Sequence, residues 1–252
     1  MVRRSVFSGR IGTIGAAVFF LQGTLLSGQA RQGLNLGNLA GLNGRGDVSW
    51  TILVVLTLLT LLPAILVSMT PFVRLLVVFH FLRQALGTQT APGNQTLIGL
   101  SLFLTYFIMQ PVGAAMYQKA VVPYDQGKIS VIQALDAASD PLKDFMMHYT
   151  RQTDLALFVD AAHLPRPRTP ADLPMRVVIP AYIVSELQTG FQIGVVLFLP
   201  FLVIDMVVAA VTTSVGMLQL PPVVISTPLK LLVFVAVGGW HLLVGSLLHS
   251  FS

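Results

Sequence analysis

The chain is 252 residues long, 54% hydrophobic and only 10% charged, with a formal net charge of +5. Soluble domains carry about 25% charged residues, so these side chains cannot clothe a globule in water, and a modest basic balance weighted to the N-terminus does not point to nucleic acid. The absence of cysteine excludes disulfides, thiolate metal sites and a cysteine nucleophile.

Residues 1–30 read as a signal peptide. Arg3, Arg4 and Arg10 form a basic start, Ile11 to Leu26 an apolar stretch, and Gly28-Gln29-Ala30 places small residues where cleavage after Ala30 would need them. The alternative is an uncleaved anchor helix. Residues 31–50, rich in Gly, Asn and Leu, read as a flexible linker.

Residues 51–116 carry two apolar runs and read as a first helical hairpin. Thr51 to Met69 is long enough to span a bilayer, and Pro63 within it predicts a kink. Phe72 to Leu82 stays apolar apart from Arg74 and His80, with Arg83 following. Gly87 to Asn94 is a polar turn with a Pro-Gly step, and Thr96 to Met109 is apolar up to Pro111. Residues 117–176 differ. Seven Lys/Arg and seven Asp balance one another there, which predicts a small polar helical insert. Ser130 to Ala137 and Pro141 to Ala162 have helical spacing, and Asp140-Pro141 resembles an N-cap with proline in the first turn. Residues 177–252 read as a second hairpin, its long apolar arms joined by the turn Gly216 to Pro222. The fold class is an all-α membrane protein of long kinked hairpins with a polar insert.

Threading these spans after a cleaved signal puts Arg74 and Arg83 on the cytoplasmic side, as the positive-inside rule asks, and the insert outside the cytoplasm. The second hairpin's turn would then be cytoplasmic, yet it carries no charge. Non-helical backbone at membrane depth is tolerated where it is buried in protein or lines a cavity, so this turn is the candidate for a pore or gate.

After Arg176 only Glu186, Asp205 and Lys230 carry acidic or basic side chains. Charges in apolar helices are costly and usually face a partner. Asp205 and Lys230 are centred between Met217 and Leu218, so a hairpin turning there allows an ion pair between its arms. Glu186, 19 residues before Asp205 and so about 28 Å away along a helix, is expected to meet another subunit or partner. The three could fix helix packing, specify subunit assembly or relay protons. His80, His148, His163, His241 and His249 lack metal-ligand spacing, and no phosphate loop, nucleophile elbow or zinc motif appears. The residues imply no cofactor and no enzyme. Three classes stay open: an export-channel subunit, an ion-coupled secondary transporter and a non-conducting assembly scaffold. No convincing internal repeat of the transporter kind is seen.

Met69–Arg74 (MTPFVR), Phe81–Gln89 (FLRQALGTQ), Pro92–Gln95 (PGNQ) and Leu97–Thr105 (LIGLSLFLT) resemble the first hairpin of the FliP family of flagellar type III export-gate proteins. Ile179–Gly194 (IPAYIVSELQTGFQIG), Phe198–Asp205 (FLPFLVID), Leu220–Pro222, Pro228–Lys230 and Gly239–Ser246 (GWHLLVGS) resemble its second, and Phe145–Phe158, with Arg151–Asp154 (RQTD), its insert. The resemblance covers nearly everything after Thr51. It implies a ring-forming subunit, a pentamer, that builds a protein-conducting pore with FliQ-like and FliR-like membrane subunits and other export components. That pore passes unfolded substrates at the bacterial inner membrane, at the flagellar basal body, with much of the assembly on the periplasmic side. It also implies a gate at Met217, Leu218, Gln219 and Leu220, where methionine-rich turns seal around unlike cargo. This sequence keeps Met217 but has Leu218 and Gln219 where further methionines are common. By the same resemblance Glu186 and Lys230 form an intersubunit ion pair, with Asp205 a second partner.

Overall fold

The computed structural model describes residues 47–88, 90–164, 172–216 and 221–251. The expected signal peptide with its Ala30 cleavage point, most of the linker and the turn residues Met217 to Leu220 lie outside them. Every regular element among the described residues is helical. The chain divides into two units, 1–57 and 58–252. Of the first, the described part is the start of helix α1 (Asp47–Ser68), where Trp50 and the side chains from Ile52 to Thr57 are exposed.

In the second unit α1 runs through Pro63. The chain turns instead at Met69–Pro71, where Ile52–Ser68 and α2 (Phe72–Ala85) form a pair bent by 71°. Ser68 Oγ donates to Ala64 O at 2.6 Å and Thr70 Oγ1 to Val67 O at 2.6 Å, supplying local donors where helix ends leave carbonyls unpaired. Helix α3 (Asn94–Met116) continues through Pro111, where the apolar run was expected to stop. It passes via a π-helical turn, Tyr117–Val121, into α4 (Val122–Asp125). The π turn sits where Pro123 removes a donor from the regular ladder. The insert therefore begins as a continuation of α3.

Helix α5 (Val131–Tyr149) starts at Ser130, whose Oγ accepts from Gln133 N while Gln133 Oε1 accepts from Ser130 N. That reciprocal cap starts the helix where the spacing from Ser130 placed one, and no second start follows at Asp140. Pro141 is buried inside a continuous helix. The break falls at Thr150–Arg151, before α6 (Gln152–Ala161). Helix α7 (Met175–Ser214) is 40 residues long. The last apolar run is two helices, α8 (Pro222–Ala236) and α9 (Gly239–His249), bent by 65° at Val237–Gly238. By length and composition Asn94–Asp125 and Met175–Ser214 can each cross a membrane, and each bent pair could make one more span.

Two apolar cores hold the unit together. Leu75, Val78, Phe79 and Leu82 put one stripe of α2 against Leu97 and Leu104 of α3, Phe201 of α7, Phe234 of α8 and Leu247 of α9. The second core docks the insert, through Met146, Leu155 and Val159, on Val177, Val178, Ala181 and Tyr182 near the start of α7. Helix α2 approaches α7 closely because Gly190 and Gly194 face it: a Cβ on Gly194 would lie 2.5 Å from the Phe81 ring, and one on Gly190 3.2 Å from Val77. Small residues at helix crossings allow this approach. Much of α7 beyond these contacts is not covered by the described residues, with Phe191, Val196, Leu199, Val203 and Met206 all exposed.

Gly194→Ala should force the Phe81 ring aside and destabilise the protein by about 1–3 kcal/mol, the usual cost of overpacking. It should lower the denaturation temperature in detergent. Gly113→Ala, in open space, should leave that temperature unchanged or slightly raised. Equal shifts for the two variants would refute the packing role of Gly194.

Candidate functional site: ion pairs that frame the second hairpin

Each of the three charges late in the chain is engaged inside this chain. Lys230, 4% exposed on α8, donates from Nζ to Asp205 Oδ2 of α7 at 2.5 Å and to the carbonyl of Ala85 at 3.0 Å. Ala85 ends α2, so the ammonium also sits where a helix presents the negative end of its dipole. Asp205 is 33% exposed. The arms of the second hairpin are thus tied to each other and to the first hairpin by one cation.

Glu186, fully buried on α7, pairs with Arg74 of α2. Within this chain Glu186 is paired with Arg74 and not with Lys230: its Oε1 accepts from Arg74 Nη2. Arg74, expected in water on the cytoplasmic side, is 4% exposed. Its Nη1 donates to Ser250 Oγ at 3.2 Å, and its guanidinium carbon lies 4.0 Å from the centroid of the Phe251 ring, within cation–π range. Tyr149 of α5 closes the same cluster, donating to the Phe251 carbonyl at 2.9 Å. One buried cation therefore joins α2, α7, the insert and the residues after α9. The physical reason is that neither charge could be left alone in an apolar interior, and each is the other's partner across the α2–α7 crossing that the glycines permit.

The insert is fixed to α7 by a second polar set that the sequence reading did not single out. Ser185 Oγ donates to Asp154 Oδ2 at 2.5 Å and accepts from Arg151 N at 3.1 Å. The Arg151 side chain donates to Gln192 Oε1 at 2.6 Å. Ser185 and Glu186 are neighbours, so α7 engages the insert and α2 at one level. The available signal was the Arg151–Asp154 run near the insert's apolar residues, but no spacing rule links it to Ser185. For Arg74 the signal was clearer: it is a cation inside an apolar run, and pairing Asp205 with Lys230 leaves Glu186 as the one acid after Arg176 without a partner. The predicted gate residues Met217, Leu218, Gln219 and Leu220 lie outside the described residues. The helices on either side of them, ending at Ser214 and beginning at Pro222, are described.

A model of the FliP family matches residues 55–247. Among curated proteins, the chain is 51% identical over 210 residues to the flagellar biosynthetic protein FliP of Pectobacterium carotovorum subsp. carotovorum, covering 82% of this chain and 81% of that one. It is 50% identical over 207 residues to that of Bacillus subtilis, covering 81% and 94%. With that of Aquifex aeolicus it shares 44% over 212 residues, covering 82% and 89%.

Removing either partner of the Arg74–Glu186 pair strands a buried charge, a loss of about 3–5 kcal/mol. Arg74→Met and Glu186→Gln should each sharply reduce the amount of folded protein recovered from membranes. The double variant should recover more than Arg74→Met alone. Additive losses, read in a double-mutant cycle, would show that the two residues do not act as a pair.

Proposed function

The chain belongs to the FliP family, and from that membership we propose that it is a core subunit of the flagellar type III export gate, forming a protein-conducting pore at the bacterial inner membrane. The observation that carries this is identity of 44–51% to named flagellar biosynthetic proteins across about four fifths of the chain, the matched region containing both hairpins and the insert. It is a membrane protein of the flagellar export apparatus, and its role is structural. The subunit forms a ring, a pentamer, completed by FliQ-like and FliR-like chains. The uncovered apolar face of α7 supports this, since contiguous apolar surface of that extent marks a face that meets lipid or protein. Much of the assembly lies on the periplasmic side, with the insert of residues 117–176 outside the cytoplasm. Unfolded flagellar subunits pass through it.

The gate is the turn Met217, Leu218, Gln219 and Leu220, carried by the paired arms α7 and α8. A single flexible thioether flanked by Leu218 and Gln219 makes a stiffer and more polar seal than a run of methionines would. A secondary transporter is usually built on an internal repeat, and none is seen in the sequence, which favours the export-gate reading over that one.

Two outcomes follow. A host lacking this chain should stop releasing flagellar filament protein into the medium and resume on its return, while continued release would overturn the export role. Met217→Ala should raise ion leak through the assembled, resting complex in vesicles. A leak equal to that of the unaltered complex would remove Met217 from the seal.

A further inference from the structure

The corner at the end of α2 meets α8 at two points on one helical face. The first is the bond from Lys230 Nζ to the Ala85 carbonyl. The second is Gly87, whose φ is +73° and whose missing Cβ would lie 2.8 Å from Thr227 Oγ1. Thr227 and Lys230 are three residues apart, so they project from the same side of α8. Gly87 takes the left-handed position that closes a helix: Leu86 N donates to Leu82 O at 3.0 Å and Gly87 N to Gln84 O at 3.0 Å. Leu86 is buried in the α2 core, and Thr88 Oγ1 donates back to Arg83 O at 3.3 Å. The corner is therefore braced from behind. A side chain at 87 would be strained in its backbone and would also press on Thr227, a β-branched residue with few rotamers to yield.

We propose that Gly87 and Thr227 are positioning residues of the export gate: the end of α2 is the stop against which α8 seats, and that seat holds the conduit in its resting, closed state. The inference rests on the export-gate reading above. The reasoning is geometric. Thr227 lies five residues into α8, whose first residue is Pro222, so the seat is about 7.5 Å along the axis from the helix start. A shift there is transmitted to that start by a rigid rod. Lys230 cannot follow a displaced α8 without leaving the Ala85 carbonyl, Asp205 or both. The stop thus acts on the arm through steric contact with the Thr227 hydroxyl and through charge at 230. The two contacts make α8 a helix with one seated position instead of a freely sliding arm.

The test uses the complete complex with its partner subunits, reconstituted in vesicles, with recovery of the complex and potassium leak read for each variant. Thr227→Ala removes the atom that Gly87 abuts and should raise resting leak about tenfold, the change that a shift of about 1.4 kcal/mol in the closed-to-open balance produces. Gly87→Ala should raise leak by displacing α8 the other way. In Gly87→Ala/Thr227→Ala the new methyl fills the space vacated by Oγ1, and leak should return towards that of the unaltered complex. Gly93→Ala, where nothing lies within 4 Å, should change nothing. If Gly87→Ala is not recovered as a complex, Thr227→Ala decides alone. Unaltered leak in Thr227→Ala, or leak in the double variant as high as the sum of the singles, overturns the proposal. Release of filament protein separates the two readings: if Thr227→Ala leaves the leak unaltered while export depends on this chain, the seat is wrong and the export gate stands; if a host lacking the chain still releases filament protein, both fall.

Discussion

Lys230 carries a full charge into a place that leaves it 4% exposed, and two oxygens on different helices answer it: a carboxylate on α7 and the last carbonyl of α2. The price of such burial is several kcal/mol per ion, so the arrangement tolerates little change. If α8 slides, rotates or separates from α7, an ammonium is left among apolar side chains. The same reasoning applies one level away at Arg74 and Glu186, where α2 and α7 cross. Together the two pairs convert three apolar helices, α2, α7 and α8, which could pack in many ways, into one arrangement. Apolar contacts supply most of the buried surface but little direction. The charges supply the direction, because few groups on the facing helices can answer them.

Glycines make those pairings reachable. Gly190 and Gly194 let α2 lie against α7 closely enough that Val77 and Phe81 would clash with any side chain there. Arg74 is one turn before Val77 and Val78 on that face of α2, and Glu186 one turn before Gly190 on α7. A close crossing of small residues therefore delivers the cation to the anion, and the aromatic rings of Tyr149 and Phe251 close over the guanidinium. The insert is drawn into the same arrangement through Ser185, so one short segment of α7, Ser185 to Gly194, positions α2, the insert and the residues after α9. Its match to a long family motif is understandable on packing grounds alone.

Much of this architecture was legible in the residues, for a specific reason. Helical apolar runs are long and few, so an all-helical membrane fold could be read from composition. A hairpin is symmetrical about its turn, so Asp205 and Lys230 could be brought level by counting from Met217. The failures have a common cause: they concern relations that are not symmetrical or local. Glu186 and Arg74 are 112 residues apart, and nothing in either segment specifies the other. Reading each charge against its nearest loop sent Arg74 to the cytoplasmic surface. Prolines misled in both directions. Pro141 looked like the first turn of a new helix, yet the helix runs on through it, as the earlier one does through Pro111. The π turn before Pro123 could not be read either, because widening the helix by one residue leaves no trace in apolar spacing.

The apolar periphery of α7 bears on what kind of protein this is. A helix that is hydrophobic all round has no face that composition can assign to the core, and the chain covers only part of this one. In lipid there is no hydrophobic gain in covering the rest, since acyl chains are as apolar as leucine; association then depends on close packing of small residues and on polar pairs. Those devices are already spent within the chain, at Gly190, Gly194, Arg74, Glu186, Asp205 and Lys230. Outward on α7 are, among others, Phe191, Val195, Val196, Leu199, Val203 and Met206, large apolar side chains. In water such a surface would drive association strongly, at roughly 25 cal/mol for each Å² covered. In lipid it would be nearly indifferent. The internal ion pairs, Arg74–Glu186 and Lys230–Asp205, hold the helices in register whether lipid or protein covers that face.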